Sequence, residues 1–209
     1  MTRSLIDESP EAIDAIASAD VVLGCTDDQI GRELLQNAVY YYMQALIDVG
    51  LGGDLDEDGE GNPYLRYHFG RVSTILPESG ECLFCQDVIS ELWIRTEHEL
   101  RANPDMSDDE IKTKYLEKSG ENAPGVGPFT SATADYGLAG LFDLLRPFRV
   151  FPDELRRDQY FIDFVYMTLS SREYKNNGEC PYCGKHTLIA KKESYRLNRP
   201  ILGKPNVID

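Results

Sequence analysis

Four of the five cysteines stand in two C-x-x-C pairs, Cys82 with Cys85 and Cys180 with Cys183; the fifth is Cys25. Two thiolates spaced this way on a tight turn face one ion, and two such knuckles supply the four soft ligands of a tetrahedral zinc. The stretches "ECLFCQ" and "ECPYCGK" both have this form, and Gly184 suits the turn that follows the second pair. Residues 86–179 lie between the pairs, a longer interval than in a compact zinc finger. The competing reading is two unrelated buried or redox pairs. In a reducing compartment, paired C-x-x-C motifs are more often metal sites than disulfides. A zinc here would be structural and closed, tying the carboxyl-terminal strand to the segment after Leu76. His186 could replace one cysteine, although a surface position suits it better.

A second group is acidic. In "ADVVLGCTDDQIGRELL" an apolar run ends in Gly24, and Thr26, Asp27 and Asp28 lead into a helical pattern. Any of the three could cap the free amides of the helix's first turn. The functional alternative places Asp27, at the carboxyl end of a strand, beside magnesium or phosphates. Cys25 in the same turn reads as a packed small residue, with no nearby His in sequence to activate it.

A third group, Asp54, Asp56, Asp58 and Gly59, matches the start of a calcium loop. The twelfth position, where a bidentate Glu belongs, is Leu65, and the flanks read as strands. A solvated hairpin turn is the expectation.

The elements that must position these groups follow from periodicity. Ser9-Pro10-Glu11 opens a short helix with Ile13, Ile16 and Ala17 on one face. A strand over 20–25 precedes a helix from about Asp28 to Gln44, with Ile30, Leu34, Leu35, Ala38, Tyr41 and Tyr42 at helical spacing. "ALIDVGLGG" (45–53) is a second buried strand, and "YLRYHFGRVSTIL" (64–76) gives one or two more. Residues 87–102 are helical, with Val88, Ile89, Leu92 and Trp93 on one side. Ser107 and Glu110 form a capping box for a helix to about Lys118, and 119–128 is a loop. A helix over 129–148, a strand over 160–169 and an extended arm from Lys191 complete the chain.

With 209 residues the chain can bury a sizeable core, and 42% hydrophobic with 27% charged residues is a globular composition. The balance of 21 basic against 36 acidic residues gives −15, a field that argues against nucleic acid and anionic membranes as partners. No apolar run reaches bilayer length and the amino terminus lacks a signal pattern, so the default localisation is cytoplasmic.

In their order, "ADVVLGCTDDQIGRELLQNAVYYYMQALIDVGL", "GRVSTILPESGECLFC", "APGVGPFTSATADYGLAGLFDLL" and "CPYCG" resemble the carboxyl-terminal part of the ThiF/MoeB/HesA adenylating enzymes, relatives of the ubiquitin-activating enzymes. The resemblance covers residues 11–190. It implies an α/β fold: the second half of a Rossmann-like adenylation domain over 1–190, with antiparallel strands and a four-cysteine zinc knuckle site, and a tail over 191–209. It implies ATP and magnesium as cofactors, and adenylation of the carboxyl end of a ubiquitin-like or sulfur-carrier protein. The family's zinc ligands fall on Cys82, Cys85, Cys180 and Cys183. Its magnesium-nucleotide Asp falls on Asp27, the catalytic candidate, while Asp28 replaces the family's Asn at the next nucleotide-binding position. Members that form a thioester carry a cysteine after the first knuckle; residues 86–179 contain none, so the reading is adenylation only unless Cys25 serves.

The family's glycine-rich nucleotide loop lies upstream of the strand at 20–25, and the chain has no G-x-G-x-x-G. The expectation is therefore a partial adenylation domain, completed by upstream sequence or another polypeptide, and commonly dimeric. By itself it should bind ATP weakly. The alternative is a non-catalytic, zinc-stabilised scaffold or partner subunit. A C-x-x-C oxidoreductase is a third reading, which needs a pair at the start of a thioredoxin-like helix.

Overall fold

The computed structural model describes residues 10–77, 81–105, 126–152, 155–172 and 180–184. Four helices and five strands are found among them: α1 (Pro10–Ala17), β1 (Val21–Gly24), α2 (Gln29–Tyr42), β2 (Ala45–Glu57), β3 (Pro63–Ile75), α3 (Glu91–Ala102), α4 (Gly127–Leu145), β4 (Gln159–Asp163) and β5 (Thr168–Ser170). Ser9, the helix over 107–118, most of the loop at 119–128, His186 and the tail over 191–209 lie outside the described residues.

The strands form one mixed sheet in the order β1-β2-β3-β4-β5. β1 runs parallel to β2, with Val21 opposite Ala45 and Gly24 opposite Asp48. The remaining pairs are antiparallel. The class is thus mixed α/β, with one parallel pair at the edge that carries the acidic turn.

Alternation along β2 explains why "ALIDVGLGG" reads as apolar on both sides. Leu46 and Ile75, opposite each other on β2 and β3, pack with Leu35, Val39 and Tyr40 of α2. Ile47 turns the other way and clusters with Val72, Tyr160 and Ile162. Helix α4 covers that second face. It lies so close that a Cβ on Gly137 would stand 2.6 Å from Val49 Cγ1. The sheet is therefore sandwiched between helices, as a strand hydrophobic on both faces requires. Leu46, Ile47 and Ile75 are fully buried, each contributing roughly 1.5–3 kcal/mol.

Helix α2 starts where the sequence places it and stops two residues early. Met43 takes a left-handed φ of 59° and returns its amide to Val39 O, a common way to end a helix. Helix α3 begins at Glu91 rather than near 87, because Ser90 takes the N-cap and accepts from Trp93 N at 3.2 Å. Its buried positions are Ile94 and Thr96, whereas Leu92 is exposed. The expected strand over 160–169 is a hairpin. Asp163 Oδ1 accepts from the amides of Val165 and Tyr166, both at 2.8 Å, and reverses the chain into β5. The β2–β3 connection is the expected hairpin turn. There Asp58 Oδ1 accepts from Glu60 N and Asn62 N, both at 2.9 Å.

Candidate metal centre

Cys82 and Cys85 sit on a turn that follows β3 and leads into α3. Gln86 N donates to Cys82 O at 2.9 Å and Val88 N to Leu83 O at 2.8 Å. Asp87, with φ 56°, supplies the left-handed step that lets the turn close. On the second pair, Gly184 N donates to Cys180 O at 2.9 Å. Each turn thereby directs two sulfurs to the same side.

The two turns meet although they are 98 positions apart. Sγ of Cys82 lies 3.8 Å from that of Cys85 and 3.6 Å from that of Cys180, and Cys85 Sγ lies 3.4 Å from Cys183 Sγ. All four sulfurs fall within 4.8 Å of one another. Disulfide sulfurs would be about 2.05 Å apart, and all five cysteines are free thiols. Four sulfurs about 2.3 Å from a central zinc in a tetrahedron stand about 3.8 Å apart. The group could hold a structural metal ion such as zinc, and its spacing fits that coordination.

The surroundings close the centre. Cys82 and Leu83 are fully buried in the cluster that also holds Leu46, Ile75, Ile89 and Ile94. Phe84 and Tyr182 rings, one from each knuckle, lie 5.3 Å apart. Helix α2 grips both turns: Gln36 Oε1 accepts from Phe84 N at 3.2 Å, and Glu33 Oε1 from the Tyr182 hydroxyl at 2.8 Å. Burial pushes the Cys82 thiol far up and the Cys85 thiol up to about 12. Cys183 is also raised, by burial first and then by Cys180, against the lowering contacts with Cys85 and Cys82. Cys180 moves down: burial opposes this, but the amides of Cys183 and Tyr182 outweigh it. A bound dication reverses such elevations and drives the protons off.

The acidic turn is placed apart from the sulfurs. Asp28 is the N-cap of α2, accepting from Gly31 N, and its Oδ1 lies 3.4 Å from Arg101 Nη2. Glu97 of α3 takes the next two amides, from Gln29 at 2.8 Å and Ile30 at 3.0 Å. The first turn of α2 is therefore already capped by carboxylates, and the capping reading holds at Asp28. Asp27 is exposed at the carboxyl end of β1. Cys25 is exposed beside it, its thiol raised by partial burial and then by Asp48, the opposite of an activated nucleophile.

One cluster escaped the sequence reading. Asp48, fully buried on β2, accepts from Arg71 Nη2 of β3 at 2.6 Å, and Arg32 Nε of α2 lies 3.8 Å from the same oxygen. The sequence carries half of the signal: an Asp at an inward position of a two-sided buried strand needs a cationic partner, without naming which one. Neither a protein-family model nor a curated protein matches the chain.

Proposed function

We propose that this chain is the zinc-stapled second half of an ATP-dependent adenylating enzyme of the ThiF/MoeB/HesA kind, acting on the carboxyl terminus of a ubiquitin-like or sulfur-carrier protein. The convergence of the four sulfurs carries the reading, because the resemblance requires two distant knuckles to share one ion and their geometry fits it. A zinc bound there supplies a closed, non-catalytic cross-link between the turn after β3 and the carboxyl-terminal knuckle. The order of elements is a further support: a parallel pair with Asp27 at its carboxyl end, then antiparallel strands and a long helix.

In this reaction a carboxylate oxygen of the carrier attacks the α-phosphorus of ATP. A C–O–P linkage forms and pyrophosphate leaves with the broken P–O bond's electron pair. Asp27, exposed at the strand end, would hold magnesium against the phosphates. The amides of Gln29, Ile30 and Gly31 accept no such role, being bonded to Glu97 and Asp28. The phosphates would therefore be cradled by a segment outside the first turn of α2.

That same capping favours a second reading, a non-catalytic partner subunit that keeps the stapled fold and lends a docking surface. Pyrophosphate–ATP exchange with candidate carrier proteins separates the two, using the longest natural polypeptide that contains these residues. The adenylation reading expects carrier-dependent exchange that falls about 100-fold or more in Asp27→Asn. Absence of exchange, or exchange indifferent to Asp27, refutes it and leaves the scaffold.

A further inference from the structure

On the α2 side of the sheet a cleft of about 130 Å3 opens over the middle of β2, bordered by the residues that follow the first knuckle. Its walls carry Gln29, Arg32, Arg71, Gln86, Asp87 and Arg172. The guanidinium groups of Arg32 and Arg71 are nearly buried. Arg71 is fixed from below: Nη1 donates to Ser73 Oγ at 2.7 Å and Nη2 to Asp48 Oδ2 at 2.6 Å. Arg32 Nε is beyond hydrogen-bond reach of that oxygen at 3.8 Å, and it has no hydrogen-bond partner among the described residues. Arg172 lies across the Phe161 ring, its Cζ 4.6 Å from the ring centre.

Two observations point to a ligand. Gln86 is 2% exposed, yet neither its Nε2 nor its Oε1 has a hydrogen-bond partner among the described residues. A buried amide with both ends unanswered is rare in a folded protein. Gly50 is the second. A Cβ there would stand 2.8 Å from Arg71 Nη2 and 3.2 Å from Arg32 Nη2, so glycine leaves both groups room to share the space above β2.

We propose that this cleft is a binding site for one small carboxylate. Three arginines face two aspartates, Asp48 and Asp87, which leaves a single positive charge to be met. Planar guanidinium forks bind carboxylates through paired N–H donors, and the Gln86 amide adds a further donor. The volume accepts a carboxylate with one or two small groups attached and is too small for a nucleotide, whose sites measure about 300 Å3 or more. The carboxylate could belong to a free small acid or to the carboxyl end of a peptide. This inference stands apart from the adenylation reading and needs neither ATP nor a carrier.

The test is calorimetric titration of the metal-replete protein with sodium acetate, with N-acetyl-Ala-Ala bearing a free carboxyl end, with the same peptide as its amide, and with inorganic phosphate. The Arg Nε–H resonances are followed in parallel. Saturable binding of acetate or the free-acid peptide, with a shifted Arg32 Nε–H signal, is the expected result. A tighter peptide assigns the site to a chain end; equal affinities assign it to a free small acid. Gln86→Leu and Arg172→Gln should each weaken binding about tenfold while the melting temperature holds, since neither side chain anchors another. No saturable binding, phosphate bound more tightly than acetate, or an amide bound as well as the acid overturns the proposal.

Discussion

At the scale of single residues, Asp143 shows how a carboxylate is recruited to finish an element. It lies in the last turn of α4, and its Oδ1 accepts from Phe148 N at 2.9 Å and Arg149 N at 3.0 Å, turning the chain out of the helix. Those two amides hold its carboxyl below the ordinary carboxylate range, with a smaller contribution from the Arg157 charge. A carboxyl depressed in the folded state stabilises the protein above its unfolded pKa, and the contribution is lost as pH falls through the folded pKa. Asp143→Ala should therefore cost about 1 kcal/mol at neutral pH. The gap to wild type should close in acid, below the ordinary carboxyl value of 3.8. Urea denaturation at a series of pH values measures this, and a gap that widens in acid would contradict it.

At the scale of elements, the α4–β2 crossing is set by one missing methyl. Gly137→Ala would normally favour a helix interior by nearly 1 kcal/mol. Here the added Cβ meets Val49 Cγ1 at 2.6 Å on a sheet that cannot retreat. The clash wins, and the substitution should destabilise by about 1–3 kcal/mol; adding Val49→Ala should recover part of the loss. A stabilised single variant in thermal denaturation would show that α4 does not press on β2.

Periodicity placed these elements well, because β2 is apolar on both faces and α2 carries its stripe at helical spacing. It failed where one polar side chain redirects the backbone. Asp163 bends "YFIDFVYMTL" into two strands by binding amides two and three residues on, and Ser90 delays α3. Both are short-range bonds to backbone that an apolar pattern does not register. The cysteine knuckles were legible because each pair is local and its chemistry narrow. The Arg32–Asp48–Arg71 group was not, since its three residues come from three elements and meet only once the β2–β3 register is fixed.

At the scale of the whole molecule, the sulfurs join what the chain separates. The first knuckle packs into the core against β2 and β3; the second brings Cys180 into that same core, and Tyr182 meets Phe84 and donates to Glu33. Removing an ion from four close thiols leaves groups whose burial favours their protonated forms, so loading should release protons and unloading should loosen the second knuckle. Cys180→Ser should lower the melting temperature by more than about 10 °C. A strong chelator should do the same to wild type while adding nothing to the variant. Equal chelator sensitivity in both would mean that the ion, if any, is held elsewhere. Among the described residues no helix is long and apolar enough to cross a membrane.

The most direct test is zinc X-ray absorption on natively purified protein, combined with metal analysis. The account predicts one zinc per chain, ringed by four sulfurs at about 2.3 Å with no nitrogen or oxygen in the coordination sphere. Protein that is folded yet metal-free, or an ion bound by fewer than four sulfurs, would contradict it.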